Sequence, residues 1–229
     1  MSPVTAANRA TQERLPLGKA PSLTRRDFIV STANAEAVEA LDTWPAWPGG
    51  RLALIGPEGS GKTHLARIWA ERSDALIFNR REHDFATLAG RAMLIEDADD
   101  RPADETLFHL INMADAGSSL LLTGRTPPIQ WATGLPDLRS RLNALMVATL
   151  RPPDDAVLEG VLLKLFAERN IRPGKDVMAY LLRRIERSVP TVVELVARID
   201  EKAGAEGREI TRPLAREVLR ESGYGNGTL

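Results

Sequence analysis

The stretch GPEGSGKT, residues 56–63, places Gly56, Gly59 and Gly61 ahead of Lys62 and Thr63. This is the G-x-x-x-x-G-K-[ST] pattern of a phosphate-binding loop. It follows the apolar run RLALIG and opens a helical pattern, the context such a loop requires. Glycines let backbone N–H groups turn inward around phosphate oxygens, and the helix N-terminus adds positive potential. Lys62 supplies a mobile ammonium and Thr63 a hydroxyl for Mg²⁺, while Pro57, Glu58, Ser60 and His64 complete the contact surface. The alternative is a glycine-rich turn that fits by accident, a roughly 1% event in a chain of this length. The residues therefore point to a nucleotide, ATP or ADP, with Mg²⁺.

A second candidate lies at the end of RAMLIED, residues 91–97. Paired acids closing an apolar strand suit a metal shell and a water-activating base, here Glu96 for Mg²⁺ and Asp97 as the base. The competing explanation is a solvated acidic turn, because Asp99 and Asp100 continue the run. Glutamate in the usual aspartate position lengthens the arm and is expected to weaken hydrolysis.

These groups need a scaffold, and the pattern supplies one. Apolar runs at 51–56, 75–79, 91–97, 118–124 and 144–150 alternate with helical spacing at 61–73 and 103–117. That alternation predicts an α/β fold with a parallel five-stranded sheet covered by helices. Asn34 caps a short helical pattern before it. After residue 152 the strand signal stops, and helical patterns cover 154–169, 174–187, about 190–204 and 211–222, with Asp154, Thr191 and Thr211 as caps. The expected division is a flexible arm over 1–26, a nucleotide-binding domain over 27–152 and a small all-helical lid over 153–229.

Composition narrows the setting. The chain has 229 residues, 43% hydrophobic and 27% charged, with a formal charge of −1 and no cysteine. Near-neutral charge gives no global drive toward nucleic acid or anionic membrane. Absence of cysteine removes disulfides and thiolate chemistry. With no signal-like apolar segment and no run of ~18 apolar residues, the expectation is a cytoplasmic protein without a membrane span. His83, His109 and the tryptophans show no ligand spacing. Trp44, Trp47 and Trp69 are expected to pack, and Trp131 to lie at an interface rim.

Strand order, acidic strand end, the polar LLLTG strand and a helical C-terminal lid resemble the AAA+ ATPases. The finer pattern resembles the family of the bacterial replication initiator DnaA and its shorter relative Hda. DFIVSTANAEAV is similar to the family's adenine-side segment through Phe28, Val30, Ser31 and Asn34. LLLTGRTPP followed by LPDLRSRL is similar to its sensor I and box VII stretch, and LLRRIERSVPTVVELVARID to its sensor II helix. The resemblance implies that Arg141 is an arginine finger acting on a neighbour's nucleotide, and that Thr123, Arg125 and Arg187 occupy sensor positions. It also implies that QERLPL in the arm, through Gln12, Leu15, Pro16 and Leu17, docks on the DNA polymerase III sliding clamp (its β subunit).

Departures matter as much. Arg125 stands where the initiator has an acid, Pro190 where the lid arginine belongs, and Glu96 begins the acidic pair. The implied protein binds ADP or ATP, hydrolyses its own nucleotide poorly, and promotes ATP hydrolysis by DnaA, so restraining replication initiation. The sequence ends soon after the last lid-like helix, which implies the form without a DNA-reading helix-turn-helix and little sequence-specific DNA binding. Head-to-tail self-association remains open. The competing expectations are a self-sufficient AAA+ loader or remodeller and a DNA-binding adaptor of the initiator.

Overall fold

A computed structural model describes residues 24–78, 85–100 and 103–223. The residues Gln12, Leu15, Pro16 and Leu17, and the run at 80–84 that includes His83, lie outside the described part. No described helix is long and apolar enough to cross a membrane.

The strand leading into the phosphate loop is β1 (Arg51–Ile55), an inner strand buried along its whole length. It is flanked by β4 (Ser119–Gly124) and the edge strand β5 (Met146–Thr149). Beyond β4 lie β3 (Ala92–Ile95) and the short β2 (Leu76–Ile77), giving the order β2-β3-β4-β1-β5 with every pairing parallel. The inner strands read as continuous apolar runs because helices cover both faces. On β5 the pattern loosens, and Val147 is exposed.

One face carries α1 (Ala35–Asp42) and α2 (Lys62–Ser73). Leu65, Ala66, Trp69 and Ala70 form the buried stripe of α2, at the three- and four-residue spacing that puts side chains on one side of a helix. Trp69 stacks on Trp47, with ring centres 5.2 Å apart, and meets Trp44 edge-on. The indole N–H groups of Trp44 and Trp47 donate to Ser119 Oγ and the Ala40 carbonyl. These tryptophans thus pin the connector to the sheet, as the sequence suggests.

The other face carries α3 (Phe85–Leu88), α4 (Asp104–Asp115) and α5 (Pro136–Asn143). Helical spacing alone does not announce α5, because only Leu138 and Leu142 are buried within it. Its approach is fixed by Asp104, whose Oδ2 accepts from Thr133 Oγ1 and Gly134 N. Trp131 belongs to this core rather than to an interface rim, with its N–H donated to the Thr126 carbonyl.

A second core begins after β5. Helices α6 (Asp155–Glu168), α7 (Lys175–Leu182), α8 (Val189–Glu206) and α9 (Arg212–Glu221) bury Leu158, Leu162, Phe166, Leu195, Ile199 and Leu219 among themselves. Full burial of each such side chain contributes roughly 1.5–3 kcal/mol. Asp154 caps α6 by accepting from Val157 N at 3.0 Å, as its sequence position suggests. The carboxyl is held below the usual range first by that bond. Thr191 is not the cap of α8. The helix starts earlier at Val189 with Ser188 before it, because Pro190, which lacks an N–H, fits in the first turn. Helix α7 stops at Leu182, short of the predicted 187, so Arg187 lies in the connection to α8.

Candidate nucleotide site and arginine groove

The C-terminal ends of β1, β3 and β4 converge on the loop 56–61. In open α/β sheets this edge is where ligands bind. Lys62 opens α2, so the first N–H groups of that helix have no intrahelical acceptor and face the loop. Lys62 is buried and its Nζ donates to the carbonyls of Gly56 and Pro57, both at 2.8 Å. Burial lowers its ammonium below the usual lysine range. Asp97, Asp99 and Glu58 raise it, while Arg125 lowers it further. The charges around this lysine are thus those that the sequence singles out, together with Asp99.

The loop also suits a phosphate in detail. Ser60 Oγ is buried without a hydrogen-bond partner among the described residues. Gly59 has φ +73°, and a Cβ there would come 2.4 Å from Ser188 Oγ. The lid closes directly on this glycine, since Val189 N donates to the Gly59 carbonyl at 3.1 Å. Phe28 stands on the other side, near Gly61 and edge-on to His64, with ring centres 5.2 Å apart. His64 Nε2 lies 3.2 Å from the Thr24 carbonyl, and burial pushes its pKa below the usual value.

The segment from Asp27 to Asn34 bridges the sheet domain and the lid. Asn34 is buried, and its amide accepts from Ser31 N and donates to the Ile29 carbonyl, both at 2.9 Å. It therefore shapes the turn that presents Phe28 and the exposed Val30. Ile29 packs on Gly160 of α6, leaving no room for a side chain there, and Asp27 pairs with Lys164 at 2.7 Å.

The acidic strand end is organised by pairs that sequence reasoning misses. Glu96 forms a two-pronged ion pair with Arg67 of α2, at 2.8 and 3.2 Å. Arg67 lies one helical turn beyond Thr63, so it shares that residue's face of α2, but nothing local pairs it with Glu96. Asp97 adopts a left-handed conformation, φ +51°, and its N–H donates to the buried Thr123 hydroxyl at 3.0 Å. Thr123 thus fixes the turn that carries Asp97. Asp99, part of the run open to reading as solvated, accepts from Arg125 N and Thr126 N. Arg125 reaches over the loop to within 3.6 Å of Glu58. Among the described residues no three acids or histidines converge. A Mg²⁺ ion here would rest on Thr63, a strand-end carboxylate and the nucleotide itself, the usual division of its ligands.

The lid sends no arginine to this loop from α8. Pro190 occupies the first turn, and Arg187 is tied to the Pro153 carbonyl and to Asp155 at 3.2 and 2.8 Å.

Arg141 lies elsewhere. Its guanidinium binds Asp115 at the end of α4 and stacks over Phe108. Asp115 also pairs with Arg51, the first residue of β1. A groove of about 500 Å³ is lined by Arg51, Phe108, Asp137, Ser140, Arg141 and Ala144. The phosphate loop begins at the opposite end of β1, about 16 Å away along the strand. Arg139 is engaged with the Ile129 carbonyl at 2.9 Å.

Comparison with known proteins agrees with this architecture. Residues 161–219 match the family described as the Hda lid domain. Among solved structures, domain III of the replication initiation protein DnaA from Thermotoga maritima superposes with a TM-score of 0.73 at 17% identity, covering 88% of this chain and 97% of that one. AMPPCP-bound DnaA from Aquifex aeolicus gives 0.66 at 20% identity, covering 89% of this chain and 71% of that one. A variant of the RuvB protein of Thermotoga maritima gives 0.66 at 17% identity, with 87% and 72% covered. At these identities the structural likeness establishes the fold, and the family match covers the helical segment 161–219.

Proposed function

We propose that this chain is an AAA+ protein related to Hda and DnaA, and that it regulates replication initiation by stimulating ATP hydrolysis on DnaA through Arg141. It binds an adenine nucleotide in its own loop, as the Aquifex relative binds AMPPCP. The observation that carries the reading is the position of Arg141. It sits in an open groove at the far end of β1 from its own phosphate loop, on a helix with little buried surface. A guanidinium there is out of reach of its own nucleotide and is presented to a neighbour's. In that role it would offset charge developing on the γ-phosphoryl oxygens, an effect worth about 10³–10⁵ in rate.

The protein's own turnover is expected to be slow. Glu96 is held by Arg67, Pro190 replaces the lid arginine and Arg187 is engaged at the domain junction. The bound nucleotide, ADP or ATP with Mg²⁺ on Thr63 and Glu96 or Asp97, would then serve mainly to set the lid against the loop through Gly59 and Ser188. Phe28, Val30 and Asn34 would form the base side of the pocket, and Gln12, Leu15, Pro16 and Leu17 a clamp-docking peptide. The test is single-turnover hydrolysis of DnaA-bound labelled ATP with DNA-loaded clamp. Wild type should accelerate it, while Arg141→Ala and a Gln12→Ala/Leu15→Ala double variant should not. An unchanged rate with wild type would overturn the reading.

A second reading, a self-sufficient ATPase, draws on Arg125, whose guanidinium lies beside the loop at Glu58. It requires ATP turnover by the protein alone, and its loss in Arg125→Ala.

A further inference from the structure

Arg141 shares its anion with a second arginine. Asp115 Oδ2 binds Arg141, and Asp115 Oδ1 lies 3.0 Å from Arg51 Nη1. The two guanidinium groups differ in freedom. The Arg51 side chain is 11% exposed and lies against Gly49, so closely that a Cβ on that glycine would meet its Nη2 at 2.7 Å. The Arg141 side chain is 36% exposed and projects from α5 over Phe108. Among the described residues Arg51 Nε and Nη1 find no aligned hydrogen-bond acceptor, although Nη1 is close enough to Asp115 for an ion pair. Arg51 is thus a nearly buried cation whose counter-charge is Asp115. Of the other groove residues, Asp137 is exposed and carries the only further charge.

We infer that Asp115 and Arg51 form a catch for Arg141. Asp115 holds Arg141 while the protein is unassembled. Arg51 keeps the carboxylate neutralised when Arg141 leaves it for a partner's nucleotide. A carboxylate paired with Arg141 alone would lose its partner on release, at a side chain 35% exposed, where solvent offsets only part of the cost of an unpaired charge. With Arg51 in place, release breaks one of two pairings and leaves no bare anion. Arg51 is therefore a positioning residue that acts through Asp115. This inference rests on the proposal that Arg141 works in trans.

The experiment compares the maximal stimulated rate and the half-saturating protein concentration for DnaA-bound ATP hydrolysis. The variants are Arg51→Met, Asp115→Asn, the double variant Arg51→Met/Asp115→Asn, and Arg141→Ala, each with its thermal midpoint measured. Arg141→Ala should abolish stimulation. Arg51→Met should lower the maximal rate about tenfold with half-saturation near that of wild type, because Asp115 then grips Arg141 without competition. Asp115→Asn should keep or exceed the wild-type rate while losing stability, since it leaves Arg51 buried without its anion. The double variant should recover the Asp115→Asn rate, which a purely structural role for Arg51 would not allow. A wild-type rate in Arg51→Met, or no recovery in the double variant, overturns the catch. Full stimulation by Arg141→Ala would overturn the trans reading itself, and the catch with it.

Discussion

At one end of β1 the chain turns through Gly56, Gly59 and Gly61 into Lys62, and nearly every group of the cradle comes from that one turn. At the other end Arg51 meets Asp115 from α4 and Arg141 from α5, groups that only the folded sheet brings together. The first site is built to retain a ligand. Its cation is buried, Gly59 bears on the lid, and its turn is pinned by Thr123. The second, on the proposed function, would release one, since Arg141 is partly exposed and shares a single carboxylate with Arg51. A strand that separates the two by about 16 Å allows one subunit to hold its own nucleotide while acting on another's.

Removing the phosphate-side cation should break the retaining end most severely. Lys62→Ala should weaken binding of fluorescent ADP by about a hundredfold, because charge-assisted bonds to phosphate are lost. The groove should be untouched by it, and tight binding in that variant would deny that this loop is the nucleotide site. Gly59→Val should rank next. It places a Cβ against Ser188 at a positive φ, so the thermal midpoint should drop by an amount equivalent to about 1–3 kcal/mol, as followed by circular dichroism. A variant as stable as wild type would mean that the lid does not seat on the loop.

Thr123→Val leaves the Asp97 N–H without its acceptor and should cost about 1–2 kcal/mol in urea unfolding, with nucleotide affinity falling in step. Asp154→Ala should cost about 1 kcal/mol through the lost cap, with no change in stimulation beyond that of stability. The smallest effect concerns His64. Its folded pKa is lowered by burial, so the unfolded chain binds the proton more readily. Its contribution to stability is fully present above the usual pKa of 6.5 and is lost as pH falls from there through the lowered folded value. A modest drop in thermal midpoint between pH 7 and pH 5.5 should therefore be reduced in His64→Gln.

The same contrast explains what could be read before folding. The sheet, the phosphate loop and the capped start of α6 follow from local spacing, because strand runs, glycines and Asp154 each act within a few residues. Helix α5 gave little signal, since Arg139, Ser140 and Arg141 make most of it polar. Resemblance, not periodicity, marked Arg141. The Glu96–Arg67 pair, the hold of Asp99 on residues 125 and 126, and the closure of Ser188 on Gly59 join segments far apart in sequence. No local pattern encodes them. Trp131 lies in the core and not at a rim, and a lone tryptophan between Gln130 and Ala132 gives no hint of the pocket formed with α4 and α5.

On the proposed function, Arg141 serves a nucleotide other than the one its own chain binds. One preparation of Arg141→Ala tests it, with ADP affinity of the purified protein and stimulated hydrolysis of DnaA-bound ATP measured side by side. ADP affinity should equal that of wild type, and stimulation should fall by about 10³ or more. Weakened ADP binding with stimulation intact would contradict it, and would assign Arg141 to its own subunit's site.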